Sequence, residues 1–311
     1  MKYYFLTLFA LLCTVSCSMH PKTVDNIGGT IIECRFSDME QNGESPSHIL
    51  EILNSRLKYQ KRATTPTVAY NDTTGIFRIE IPGVTDVDAE QLVSQGQLSI
   101  CEVYKIPDVE DAVRRTLSDT LLQQYIDPSF HPASFSGNVF LGGVRDKDIH
   151  LIDSLLASKR SIFGFPHNIK FCWSWDVEDD MVSGYLLYMV KMTDHNIDLI
   201  ATHKSSGIEK NSYNSHESVN LKLNDLGATK FSQMTERNIG RSLAIVADGR
   251  VLSAPTVMNK IEGGRLVISG AFSKSYLEGL LGLLNSSVIK SNAEIISVIV
   301  KGDREKKLKR P

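Results

Sequence analysis

The stretch Leu243–Pro255, LAIVADGRVLSAP, leaves few choices to a backbone. Two short apolar runs flank Asp248-Gly249, a pair that tolerates the positive φ angles of a tight turn, so the segment reads as a β-hairpin. The neighbouring segments complete a pattern: strand VNLKL, helix NDLGATKFSQMTERN capped by Asn224, the hairpin, strand RLVISG, helix SKSYLEGLLGLLNS capped by Ser273, strand AEIISVIVK. Leu226, Phe231 and Met234 are the expected core residues of the first helix.

The same order runs through the N-terminal part. TIIECRF alternates, with Ile32, Cys34 and Phe36 on one face. SPSHILEILNSRLKYQ is a helix with Ser47 as its expected cap and Ile49, Leu50, Leu53 and Leu57 at helical spacing. PTVAYN and GIFRIEIPG are strands, DVDAEQLVSQG is a short helix closed by Gly96, and QLSICEVYK is a strand. Two such halves predict an α+β fold: two ferredoxin-like βαββαβ-type halves forming a base, a repeat of form without a repeat of sequence.

Residues 30–105 are the first half of this base and 219–301 the second. Between them, 106–218 reads as an inserted α+β head lobe. It opens on the amphipathic DVEDAVRRTLSDTLLQQY, using Val109, Val113, Leu117 and Leu121. A Pro, Ser and Gly-rich loop, DPSFHPASFSGNVFLGG, precedes the helix DKDIHLIDSLLASKR. IKFCWSW alternates, with Ile169, Phe171, Trp173 and Trp175 on one face; GYLLYMVKM is its strand partner and HKSSGIEKNSYNSHES a polar return loop. Residues 18–29 read as a tether and 302–311 as a charged tail.

Residues 1–17 set the compartment. Lys2 precedes an apolar run too short for the roughly 20 residues of a membrane span, as in a secretory signal peptide. TVSC at its end has the character of a lipobox, with Thr14 in place of the usual large aliphatic residue, so Cys17 is the expected lipidation site; ordinary cleavage nearby is the alternative. The expected location is a bacterial cell-envelope membrane, facing the periplasm, held by an N-terminal lipid. Cys34, Cys101 and Cys172 are too few for a disulfide scaffold; Cys34 and Cys101 are left open between a pair and free buried thiols. A net charge of -2 gives no electrostatic case for nucleic acid.

The chemistry motifs are missing. There is no HExxH, no G-x-S-x-G elbow and no phosphate loop; GGRLVISGAFSKS lacks the necessary spacing, and its glycines fit turns. WDVEDDM gathers Asp176, Glu178, Asp179 and Asp180 without the spacing of a calcium loop, and reads as a solvated turn. Phe163, Phe165, Trp173 and Trp175 are candidates for binding extended peptide, against the alternative of a lobe core. No catalytic residue, metal, cofactor or small-molecule substrate is expected.

Residues 221–286 resemble the first periplasmic domain of SecD and SecDF, accessory subunits of the Sec protein-export machinery. The family's E-N-x-G helix end is matched by Glu236, Arg237, Asn238, Ile239 and Gly240, and its L-A-I-V-x-D-G-x-V-x-S-A-P by Leu243 through Pro255, including Asp248, Gly249, Ser253 and Ala254. I-x-G-G is matched by Ile261 through Gly264, with Gly263 and Gly264 as the glycine pair, and I-S-G-x-F by Ile268 through Phe272, including Ser269 and Gly270. Residues 75–104 and 146–175 look like further segments of the same family.

The resemblance implies a base with a mobile head, binding unfolded or emerging secreted polypeptide or docking on the Sec machinery, without catalysis. The matched residues are then scaffold. No stretch after the leader matches the family's membrane helices, so no proton-carrying residue is transferred. The alternative is an envelope lipoprotein that kept the fold as a structural or interaction module.

Overall fold

The computed structural model describes residues 22–125, 137–175, 178–179, 182–210 and 217–302. The leader with Cys17, residues 127–136 of the Pro, Ser and Gly-rich loop, Asp176 and Asp180 of the acidic stretch, and residues 303–311 of the tail lie outside these. In chain order the first elements are α1 Val24–Ile27, β1 Gly29–Phe36, α2 Pro46–Leu57, β2 Thr67–Asn71, β3 Ile76–Pro82, α3 Ala89–Val93 and β4 Leu98–Glu102. Then come α4 Glu110–Leu117, β5 Val139–Val144, α5 Asp146–Ser158, α6 Arg160–Phe163, β6 Ile169–Trp173, β7 Glu178–Asp179, β8 Val182–Ser183 and β9 Tyr185–Lys191. The chain continues through β10 Ile197–Asp198, α7 Leu199–Thr202, β11 His203–Lys210, β12 Glu217–Leu223 and α8 Asp225–Arg237. It closes with β13 Leu243–Ala247, β14 Arg250–Ser253, β15 Arg265–Ile268, α9 Lys274–Leu284 and β16 Ala293–Lys301.

Helix starts follow their capping residues. The Asn224 side chain accepts from the Gly227 N–H at 2.9 Å, and Ser273 Oγ from the Tyr276 N–H at 3.1 Å, satisfying first-turn donors that have no partner within the helix. For α2 the cap is Ser45 rather than Ser47: Ser45 Oγ accepts from the His48 N–H, and Pro46 takes the first helical position, where its missing N–H costs nothing.

The fold is a mixed α+β arrangement of antiparallel sheets and helices, but the two halves do not each close their own sheet. The first sheet has the order β16-β1-β3-β2, so its fourth strand comes from the far end of the described chain. β4 crosses instead into a second sheet, β10-β4-β13-β14, while β11-β12-β15 and β5-β9-β6 form two more. Local pattern allows either partner, because β4 and β16 both follow a helix and both carry apolar residues. Side-chain complementarity decides. Ile32 and Cys34 of β1 face α2 and α3, and Ile295 of β16 completes that core with Ile49, Leu53 and Leu92. Leu98 and Ile100 of β4 join a different core, with Phe231, Leu243 and Leu277.

Helix α9 links the two cores. From Ser275 to Leu284 every residue is buried, as expected of a helix apolar on nearly all sides. Its glycines let it approach its neighbours: a Cβ on Gly282 would lie 3.0 Å from the Arg56 carbonyl of α2. Glu278, buried on α9, accepts from Arg62 Nε at 3.2 Å, and Arg62 also pairs with Asp86 at 3.0 Å. A third core, around Phe140, Ile152, Trp173 and Leu187, fills the space between β5-β9-β6 and α4–α6.

Several local expectations are corrected. His203–Lys210 is not a return loop but β11, paired in register with β12. Its polar composition fits an edge strand with one face in solvent. Val139–Val144 is β5 rather than loop. The long amphipathic helix ends at Leu117 and resumes as a 3-10 turn over Leu122–Tyr125, so Leu122 is buried and Leu121 is 49% exposed. Leu226 stands 61% exposed on α8, whereas Phe231 and Met234 are core. The part of the tether within the described residues packs on the fold: Val24 is buried on α1, and the ε-amine of Lys301 reaches Asp25 at 2.6 Å.

Candidate functional site

The motif residues of the hairpin and of the loop after it build one structure. Asp248 and Gly249 have φ of 45° and 82°, the positive pair that a tight hairpin turn demands. The Asp248 carboxylate does a second job. It accepts from the Gly96 N–H at 3.1 Å and the Gln97 N–H at 2.8 Å, fastening the entry of β4 to the β13–β14 turn. Beneath this clamp lies Arg56, fully buried. Its guanidinium donates to the carbonyls of Leu92 at 2.8 Å, Ser94 at 2.6 Å and Gln95 at 3.2 Å. Burial lowers its pKa to about 10, opposed by the charge of Asp248. Nothing in the helical spacing of α2 singled out this buried arginine.

Asn238 closes α8. It is buried, and its side-chain amide donates back to the Met234 carbonyl at 2.8 Å. The Gly240 N–H donates to the Val257 carbonyl at 2.8 Å, and its own carbonyl accepts from Lys105 Nζ. Ser253 ends β14 opposite Ile245, Ala254 packs beside Cys101 and Cys172, and the Pro255 carbonyl accepts from the Leu243 N–H. Gly264 has φ of 62°, and a Cβ there would lie 2.7 Å from that of Ala228 on α8. Only glycine lets the chain pass α8 and turn into β15. Ser269 and Gly270 lie in the exposed stretch after β15.

Together these residues hold the loop from Pro255 to Gly264 against α8, and the loop walls an apolar cleft of about 360 Å³. Phe231 and Thr235 of α8, Leu243 and Ile245 of β13, Met258 and Ile261 of the loop, and Leu266 and Val267 of β15 line it. Met258 is 75% exposed and Val267 51%, an apolar rim on an otherwise charged surface. Sequence reading missed this cleft, because its walls come from five segments, Ile100 of β4 included, whose meeting is tertiary. The one local signal was the cluster of apolar residues in a loop, Val257, Met258 and Ile261.

The aromatic candidates go elsewhere. Phe163, Phe165 and Trp173 are buried in the third core, where the Phe165 and Phe171 rings meet edge to face at 5.1 Å. Trp173 Nε1 donates to Asp153 at 2.9 Å. Trp175 leaves the strand: its N–H donates to the Val251 carbonyl, and its ring lies 4.4 Å from that of Tyr276. The alternation of IKFCWSW therefore serves two cores rather than one open face.

Cys34 and Cys101 are not paired: both are free and buried, as is Cys172, and they sit in different sheets and different cores. Burial pushes the Cys34 and Cys172 thiols up to about 12 and raises Cys101 as well. Thiols so hard to ionise are poor nucleophiles. Among the described residues no group of three or more His, Cys, Asp and Glu side chains stands close enough to hold a metal ion. No helix among them is long and apolar enough to cross a membrane.

The family model described as SecDF, P1 head subdomain, matches residues 200–290, from α7 through α9. The protein translocase subunit SecD of Sebaldella termitidis is 38% identical over 78 residues, 25% of this chain and 19% of that protein. SecD of Leptotrichia buccalis is 37% identical over 93 residues, 30% of this chain and 23% of the relative. The aligned stretches thus span about a fifth of the length of these relatives. The solved structure of SecDF in its super-membrane-facing form overlaps 91% of this chain and 32% of its own at 17% identity. Its TM-score of 0.45 is too low for a comparison of individual elements. The chain is similar to the periplasmic region of SecD and SecDF, as its motifs implied. The family description puts the word head on 200–290, residues read from sequence largely as the second half of the base.

Proposed function

We propose that this chain is a non-catalytic, periplasm-facing module of the SecD type that holds unfolded or emerging secreted polypeptide, or docks on the Sec export machinery. The observation that carries this reading is the match of residues 200–290 to the SecDF P1 head subdomain, since all the residues that wall the apolar cleft except Ile100 lie in the matched stretch. Segments that emerge unfolded expose apolar side chains, and an open apolar cleft gains free energy by covering them. No constellation for nucleophilic or metal chemistry competes with this reading among the described residues.

In this proposal the base is a ferredoxin-like unit, β1-α2-β2-β3-α3 closed by β16, and the head is the excursion from β4 through α9. Both described ends of the chain leave the base at one place, since Gly29 pairs with Lys301. Lipidation at Cys17 would tether the base to the membrane there and leave the head distal. The motif residues from Asn238 to Gly270 are scaffold for the cleft.

The test is crosslinking in living cells, with a C-terminally tagged chain beside its Cys17→Ala variant. Recovery of Sec subunits and incompletely folded secreted chains, lost in the variant, is the expected result. A stable, lipidated protein that captures neither would sink the proposal.

A further inference from the structure

Strand β15 is paired on one side only. Its inner neighbour is β12, in the register Lys222↔Arg265, Leu221↔Leu266, Asn220↔Val267 and Val219↔Ile268. Among the described residues no strand lies along its other side, and the apolar cleft opens there. The Leu223 N–H donates to the Gly264 carbonyl at 2.8 Å, which fixes the phase of the ladder. In an antiparallel pair hydrogen-bonded and non-bonded positions alternate, so the backbone N–H and C=O of Leu266 and Ile268 point to β12 and those of Arg265 and Val267 point outward. Those outward groups are a template for one more strand.

Side chains then specify what that strand carries. Leu266 and Ile268 face inward, and Leu266 borders the cleft. Arg265 and Val267 stand on the exposed face. Arg265 lies directly across from Lys222, whose ε-amine is tied to the Gly263 carbonyl at 2.5 Å. No carboxylate among the described residues pairs with Arg265, and the two cations side by side leave that end of the sheet positively charged. Directly opposed residues of an antiparallel pair share a face, so an added residue across from Arg265 gains by being acidic.

We infer that the free edge of β15 binds an extended polypeptide segment by antiparallel strand addition. Read from its N-terminus, the segment is apolar, β-branched, large apolar, acidic. The third residue fills the cleft beside Leu266 and the fourth meets Arg265. This deepens the polypeptide-binding reading above and rests on it. A second copy of β15 is the weaker occupant, because antiparallel pairing of the outward positions sets Arg265 against Val267 or another Arg265 and offers it no carboxylate.

The test uses the full chain in mild detergent with a fluorescein-labelled peptide carrying Val-Thr-Leu-Glu between Gly-Ser flanks, read by anisotropy. Reduced, carboxymethylated lactalbumin serves as the unfolded competitor. Val267→Pro removes an outward donor while the inward bonds of β15 remain, and should weaken peptide binding about tenfold with an unchanged urea midpoint. Arg265→Glu should weaken it about fivefold and favour a Val-Thr-Leu-Lys peptide by a similar factor. That reversal tests the site even if the proline variant misfolds. If wild type binds the unfolded competitor and both variants bind competitor and peptide as well as wild type does, the site is overturned and the polypeptide reading survives. If wild type binds neither probe, both fall. A dimer that Val267→Pro dissolves would assign the edge to a second copy and overturn the inference.

Discussion

Asp248 makes a sharp test of how the hairpin and the rest of the fold are joined. Its carboxylate holds two backbone donors, the N–H groups of Gly96 and Gln97, at 3.1 Å and 2.8 Å, and its own φ is 45°. A hydrogen bond to a charged group contributes about 1.5–3 kcal/mol, and the exposure of Asp248 puts each bond at or below the low end of that range. Asp248→Asn keeps one acceptor and the tolerance of positive φ, and should cost about 1 kcal/mol. Asp248→Gly loses both bonds but keeps the backbone conformation, for about 2–3 kcal/mol with the added entropy of the unfolded chain. Asp248→Ala loses both bonds and adds the left-handed penalty of roughly 1–2 kcal/mol, so it should be the least stable. Urea unfolding followed by tryptophan emission reports this, because Trp175 packs on Tyr276 in the core that contains β4. The midpoint should fall in the order Asp, Asn, Gly, Ala with a constant denaturant slope. Equal midpoints for Gly and Ala would refute the backbone part of the reasoning, and an unchanged Asn variant would refute the clamp.

Gly264→Ala should cost about 2–4 kcal/mol, from its φ of 62° and the 2.7 Å approach to Ala228. Adding Ala228→Gly should return part of that, so the two changes are non-additive in urea melts. The Glu44 carboxylate is buried, which raises its pKa, but bonds from Ser291 Oγ and from the Lys290 and Ser291 N–H groups outweigh this and hold it below its ordinary value. A carboxylate lowered on folding gives stability that is full above the unfolded value, roughly 4.3, and lost as pH falls through the folded one. Glu44→Gln should therefore lower stability at neutral pH and flatten its fall in acid, as read from urea midpoints across pH. Cys34, Cys101 and Cys172 should react with a thiol reagent only on unfolding, so a fast phase from any of them in native buffer would contradict their burial.

Short-range chemistry encodes much of the local structure. The Asp248-Gly249 turn, the caps at Asn224 and Ser273, the strand alternation of Ile32, Cys34 and Phe36, and the mostly apolar α9 follow from residues within a few positions of one another. So does the similarity to SecD, which rests on a contiguous motif. What failed locally was weakly patterned: β11 is polar because an edge strand keeps one face in water, and β5 followed a Pro-rich loop that masked it. Strand pairing was set by long-range packing. β4 and β16 each follow a helix and carry apolar residues, and complementarity with Phe231 and Leu277 on one side, and with Ile49 and Leu92 on the other, assigned each to its sheet. The cleft and the free edge of β15 belong to the same category. They are made where segments distant in the chain meet, and binary pattern and propensity describe each segment without fixing what it meets.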